Sequence, residues 1–209
     1  ITAEKYGADI LLIDMSPSLG AINQNLLMTS DYFIIPMAPD YFSVMAIDSL
    51  ASVLPKWNTW AKQAKKQPIL QNATYPFPNK NPKFLGTIIQ KYRLREGKTP
   101  SAAFQQWIDE IEKGVSNKLI PMLKDNGMLL PDGVYKTTGL KPNHPLIQMS
   151  DFNSLIALSQ KHKAPIFDLT DAQLESIGVV LKRTKKSMHQ FRELYSEGAD
   201  RIIKIIDNA

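Results

Sequence analysis

Residues 8–20 run Ala8-Asp9-Ile10-Leu11-Leu12-Ile13-Asp14-Met15-Ser16-Pro17-Ser18-Leu19-Gly20. Ile10 to Ile13 are four apolar residues in succession, too continuous for a strand with one wet face. Such a run predicts a strand buried on both faces, as in a parallel sheet with helices on each side. An aspartate follows at the strand's carboxyl end, Ser16-Pro17-Ser18 turns the chain, and Gly20 onward starts a helix. In open α/β sheets, ligands sit beyond the carboxyl ends of the strands, where a carboxylate can hold a metal or a water. Asp14 can equally cap the helix that follows. Spacing alone leaves both roles open.

Working outward, Leu26, Leu27 and Met28 mark the inner side of a short helix over 20–30. Ser30-Asp31-Tyr32-Phe33-Ile34-Ile35-Pro36-Met37-Ala38-Pro39-Asp40 follows. Residues 32–37 predict a second buried strand, stopped by Pro36 and Pro39. A hydrophobic strand, then Ile-Asp-x-x-Pro-Ser-Leu-Gly, a helix, and a strand ending in Ile-Pro-x-x-Pro resembles the ParA family. These are the plasmid- and chromosome-partitioning ATPases related to MinD. Ser16 stands where that family usually has a second proline.

The resemblance implies an α/β fold, a mostly parallel sheet flanked by helices, of the P-loop NTPase type with a deviant Walker A motif. It makes Asp14 the Walker B aspartate, binding Mg²⁺ through water beside ATP. It sets the loop from Pro36 through Pro39 to Asp40 next to the nucleotide. It also sets Gln90 and the loop Met149-Ser150-Asp151 beside the adenine. Gln90 replaces the family's asparagine, and a satisfied buried amide is the alternative there. The family further implies ATP-dependent homodimers, non-specific DNA binding and a stimulating ParB-like partner protein.

The chain has 209 residues, enough for one sizeable core and a single α/β domain over 1–209. Cysteine is absent, which excludes disulfides, cysteine nucleophiles and iron–sulfur ligation. The sequence contains neither a signal peptide nor an apolar run near the ~20 residues that span a bilayer, so cytoplasm is the default expectation. Ile1 is not a methionine, and Thr2 to Tyr6 look like a helix end running into the first strand. One or more strands are therefore expected upstream. His144, His162 and His189 share no metal-ligand spacing. Ser16 and Ser18 have no histidine partner in sequence, and G-x-S-x-G is absent.

Further along, Asp40 or Ser43 is expected to cap a helix to about Lys66, interrupted near Pro55. Residues 67–82 form a proline-rich loop, and 83–93 a third strand. Ser101 to Lys124 is an amphipathic helix, 125–145 a linker, and 146–149 a short strand. Ser150 or Asp151 is expected to cap a helix to His162. Lys163 to Leu169, similar to the family's Lys-x-Pro-Ile-Phe-Asp-Leu, is a loop. Thr170 is expected to cap a last helix to Asp207.

A phosphate cradle needs G-x-x-x-x-G-K-[ST]. Gly97-Lys98-Thr99 imitates its tail, but Tyr92 occupies the first glycine position and Pro100 follows directly. The cradle is therefore expected upstream of Ile1, and this chain alone is expected not to hydrolyse ATP.

Net charge is +5 and uneven. Residues 1–55 carry six acids against Lys5, while 56–98 carry ten bases against Glu96. Two basic surfaces compete for a polyanion such as DNA. One comprises Lys56, Lys62, Lys65 and Lys66 with the later Lys80, Lys83, Lys91, Arg93 and Arg95. The other is the face Lys182, Lys185, Lys186 and Arg192 of the last helix, away from its apolar stripe. A merely solvated helix face is the alternative. Two rival functions remain: a non-catalytic protein- or DNA-binding scaffold of the same fold, and a MinD-like membrane-positioning ATPase. Ile202, Ile203, Ile205 and Ile206 are better explained as packing than as a membrane helix.

Overall fold

Largely apolar stretches of four to ten residues set the three strands of the sheet. The structure is a computed structural model and describes residues 2–95, 99–152 and 154–209. In order come helix α1 (Ala21–Thr29), strand β1 (Tyr32–Met37), helix α2 (Tyr41–Ala64), strand β2 (Lys83–Tyr92), helix α3 (Ala102–Gly114), strand β3 (Ile147–Ser150), helix α4 (Ser154–His162) and helix α5 (Gly178–Asp207). Short helices also occur at Thr2–Tyr6, Pro68–Gln71 and Asp132–Lys136. The three strands form a parallel sheet in the order β1-β2-β3. Helices flank it, so the fold class is α/β.

β2 is the central strand and is covered on both faces. On one face Phe84 and Ile89 pack with Phe33 and Met37 of β1, Ile47, Leu54 and Trp57 of α2, and Ile108 and Ile111 of α3. On the other, Leu85 packs with Ile147, Met149 and Ile205. A bulge between Phe33 and Ile34 leaves Leu85 unmatched and resets the alternation. Gly86 follows at φ +152°, and a methyl there would sit 2.7 Å from Leu146 Cγ. Only glycine suits both the backbone and the contact.

Asp40 caps α2, its side chain accepting a hydrogen bond from Ser43 N at 2.8 Å. Ser43 Oγ instead accepts from Ala38 N at 3.1 Å and closes the turn after β1. α2 runs unbroken through Pro55. The interruption expected there is absent because the apolar stripe Ile47, Leu54, Trp57, Ala61 is docked on both sides of the proline, which outweighs one missing backbone bond. Pro36 lies inside β1 rather than ending it. It is exposed, and β1 is an edge strand among the described residues, where a missing N–H is tolerated. The expected helix 101–124 is present as one rod with a π-helical turn, Val115–Leu119, followed by Ile120–Asp125.

Three expectations are corrected. Residues 10–13 form no strand. Ile10, Leu11, Leu12 and Ile13 are 49, 60, 84 and 46 % exposed. A strand needs a ladder partner as well as apolar side chains, and none of the described residues pairs with this run. Second, α4 begins at Ser154, and Ser150 lies within β3, so Ser150 does not cap that helix. Third, α5 begins at Gly178, not after Thr170. Glu175 at φ +50° and Gly178 at φ +60° turn the chain before it. Thr170 Oγ1 accepts only within a local turn, from Gln173 N at 3.4 Å.

α5 runs antiparallel to β3 and is docked by its second half. Arg201 donates to Leu146 O, Gly198 faces Ile147, and Phe191 and Tyr195 meet Phe152 beyond the strand's end. A Cβ at Gly198 would lie 2.0 Å from Ile147 Cδ1. Helix propensity favours Gly198→Ala by about 1 kcal/mol, whereas the clash costs about 1–3 kcal/mol. Urea unfolding is expected to show net destabilisation. A more stable variant would mean that α5 does not press on β3 as described.

Candidate functional site

Parallel strands bring their carboxyl ends to one edge, so residues far apart in sequence converge there. Pro36 lies within β1's pairing and Pro39 follows the strand, with Pro39 buried and Asp40 already committed to its cap. Gln90 pairs in register with Met149, and Tyr92 with Ser150. Lys91, at φ +65°, sits in the irregularity between them. Asp151 N donates to Tyr92 O at 2.8 Å, which fastens the loop after β3 to the end of β2. Met149 is buried, whereas Gln90, Ser150 and Asp151 are half-buried. Gln90 stands on the same edge as the 149–151 loop. Gly97 and Lys98 of the Gly-Lys-Thr sequence lie outside the described residues.

Asp14 lies on an exposed, irregular segment and not at a strand end. It does not cap α1 either, because Gly20 occupies the N-cap. No described residue makes a hydrogen bond or ion pair with it. The turn that follows it is firmly held. Asn23, only 5 % exposed, donates through Nδ2 to Ser16 O at 2.5 Å and Ser18 O at 2.7 Å. Sequence reasoning missed Asn23. The signal available was a polar residue on the inner side of α1, one turn from the Ser-Pro-Ser segment.

Mg²⁺ binds through one or two carboxylates together with waters and phosphate oxygens, not an all-protein cage. A lone, uncommitted Asp14 carboxylate suits that donor chemistry. The described residues contain no group of three or more metal-ligating side chains.

The antiparallel docking of α5 carries its first half past the carboxyl end of β3. Lys182, Lys185, Lys186 and Arg192 are all exposed there. Lys185 pairs with Asp171 at 2.9 Å; Lys182, Lys186 and Arg192 have no ion-pair partner among the described residues. Lys62, Lys65, Lys66, Lys80 and Lys83 of the other basic block lie at the opposite end of the sheet, where α2 stops and β2 starts, while its Lys91 and Arg93, both exposed, lie at the carboxyl end of β2. Several of its charges are already used. Lys65 Nζ donates to Lys80 O at 2.9 Å and to Asn81 Oδ1 at 3.1 Å. Lys80 pairs with Asp31, and Lys83 donates to Gly127 O. Partial burial, and next Lys62, push the Lys65 amine below its ordinary value.

The end of α5 is packed. Ile205 is fully buried and Ile202 and Ile206 lie against the same core cluster, whereas Ile203, also expected to pack, is exposed. No helix among the described residues is long and apolar enough to cross a membrane.

Residues 2–67 match the family model described as AAA domain, a P-loop ATPase family that includes ParA- and MinD-like proteins. The match covers the 8–20 segment, α1, β1 and α2. A stretch of 102 residues, 49 % of the chain, is 31 % identical to Uncharacterized protein MJECL24 of Methanocaldococcus jannaschii. The chain spans about a third of that relative, 33 % of its length. No solved structure matches. P-loop ATPases in general bind nucleotide and magnesium. A parallel sheet flanked by helices and the match over residues 2–67 agree on an α/β, P-loop-NTPase-like domain.

Proposed function

We propose that the chain serves a ParA-like ATPase that binds and hydrolyses Mg–ATP to drive plasmid or chromosome partitioning, holding DNA without sequence preference. The observation that carries this is the shared edge. The loops after β1, β2 and β3 and the basic half of α5 all lie beyond the strands' carboxyl ends. In that arrangement Gln90 and the 149–151 loop would flank the base and the Pro36–Asp40 loop would border the nucleotide; Asp14, from its own exposed segment, would hold magnesium through a water. Magnesium supplies charge neutralisation on the phosphates when bound. Exposed Tyr41 and Phe42 at the start of α2 border the same edge and suit a second copy of the chain, as an ATP-dependent homodimer requires. A ParB-like stimulating partner belongs to the same proposal.

DNA binding is tested by replacing Lys182, Lys185 and Lys186 with glutamine. Every lysine that truly meets a phosphate adds about 0.9 to the slope of log affinity against log salt. A drop of roughly 1–3 is expected, smaller if the Asp171 pair keeps Lys185 from phosphate. Salt titrations on duplex DNA give the slope. An unchanged slope, with a reduced one after replacing Lys62, Lys65 and Lys66, would move the site to the opposite end of the sheet.

A further inference from the structure

Residues 49–95 hold nine lysines and arginines and no aspartate or glutamate. Six of the nine, Lys56, Lys62, Lys65, Lys66, Lys80 and Lys83, lie on the second half of α2 and between it and the start of β2. Lys65, Lys80 and Lys83 are committed, to Asn81, Asp31 and the Gly127 carbonyl. Lys56, Lys62 and Lys66 are exposed and have no ion-pair partner among the described residues. Neighbouring turns bring Asp31, Asp125 and Asp132, together with Lys124. Seven bases then stand against three acids, and one of those acids is already taken by Lys80.

Beside these lysines stands an apolar knob. Trp60, Ile69, Leu70 and Tyr75 are 38, 80, 36 and 67 % exposed. Lys56 and Trp60 are four residues apart on α2 and so share one face of the helix. Phe77 ties the knob together, its N donating to Leu70 O at 3.3 Å and its ring meeting Trp60 edge-on at 5.7 Å. Gln71 Nε2 donates to Lys65 O at 2.8 Å, which seats the short Pro68–Gln71 helix against the end of α2. The hollows lined by Phe152 and Tyr195, and by Lys124 and Leu130, contain none of the four apolar residues. They project and do not enclose.

An exposed apolar patch among free cations calls for an occupant that is anionic at its surface and apolar just beneath. Duplex DNA meets the lysines but keeps its bases stacked away from Ile69 and Leu70. A protein partner would have to bring a pocket shaped to the knob. The boundary of an anionic bilayer needs no such pocket. Its headgroups attract lysine, and its interface takes tryptophan, tyrosine and aliphatic side chains. We propose that this face is a peripheral docking site for an anionic lipid surface. Ile69 and Tyr75 enter the headgroup boundary, and Lys56, Lys62 and Lys66 lie on lipid phosphates. The face is at the opposite end of the sheet from the basic half of α5, so the proposal rests on neither the nucleotide site nor the DNA site.

The test is co-sedimentation of the 209-residue chain with vesicles of phosphatidylcholine alone, and with vesicles in which about a third is phosphatidylglycerol. The anionic vesicles are expected to bind about a hundredfold more tightly, roughly fivefold for each of the three free lysines. Lys62→Gln together with Lys66→Gln is expected to lower partitioning roughly twentyfold. Ile69→Ser together with Tyr75→Ser is expected to lower it about tenfold. All four side chains are exposed, so these variants keep the fold, which circular dichroism checks. The chain has no cysteine, so Ile69→Cys takes a single environment-sensitive dye. Its emission is expected to shift to the blue on anionic vesicles and to stay unchanged on duplex DNA. Equal binding to both vesicle types, or binding to neither, overturns the proposal. Binding to anionic vesicles with the dye's emission unchanged also overturns it, because charge alone would then hold the chain. Loss of duplex binding in the Lys62→Gln, Lys66→Gln variant, with vesicle binding intact, overturns it in favour of DNA at this face.

Discussion

Phe84→Ala is expected to destabilise the chain by about 3–5 kcal/mol, the range for removing a buried aromatic ring. Phe84 is fully buried on the central strand, and its ring lies 5.4 Å from that of Phe33. Around it stand Ile89, Trp57 and Met128 of the same core. Bulge, sheet pairing and loop contacts fix the backbone there, so the site has little freedom to collapse. Phe84 N donates to Met128 O at 2.9 Å, and Phe84 O accepts from the Tyr135 hydroxyl at 2.5 Å. Burial pushes the Tyr135 phenol up to about 12, so it remains a donor throughout the neutral range. Urea unfolding should show a lower midpoint with an unchanged slope. A loss below about 1 kcal/mol would mean that the neighbours close over the cavity, and that the core of this face is not held as described.

The three paired strands are legible in the sequence because their signals are local. Tyr32–Met37 and Lys83–Tyr92 are apolar runs ended by turn chemistry, and Ile147–Ser150 sits between a turn-rich linker and a helix. The Asp40 cap is legible for the same reason. The 10–13 run shows the limit. Its apolar continuity states what the side chains require, but pairing depends on a neighbouring strand, which composition does not supply. The start of α5 departs from expectation because an apolar stripe continues through Leu174 into the core while the backbone turns at Glu175 and Gly178. Hydrophobic period reports burial and not hydrogen bonding. At the site, the strand-end loops can be placed from the sequence, because parallel pairing aligns carboxyl ends. The choice between two basic blocks cannot. It turns on tertiary partners, the Lys80–Asp31 pair and the hydrogen bonds of Lys65 to the 80–81 loop.

Asp14→Ala, in this chain joined to a phosphate-binding Gly-Lys-Thr loop, is expected to lower ATP turnover by at least about a hundredfold. A magnesium ion contributes several kcal/mol of charge stabilisation in phosphoryl transfer, and each 1.4 kcal/mol removed is roughly tenfold in rate. The position makes the experiment clean. Asp14 is exposed, caps no helix and bonds to no described residue. Its removal therefore costs the fold little, typically within about 0.5 kcal/mol for such a surface change. The neighbouring turn is held independently, through Asn23 and the Ser16 and Ser18 carbonyls. Abolished turnover with an unchanged unfolding midpoint would thus report on metal positioning and not on stability. Asp14→Asn separates charge from shape, since the amide keeps the side chain's size without its negative charge. Both variants should fail alike if the carboxylate orients a magnesium-bound water. Turnover within about twofold of the parent in Asp14→Ala would remove Asp14 from the chemistry, well short of the effect of misplacing the metal. It would then favour the rival in which the same fold serves as a scaffold without nucleotide chemistry.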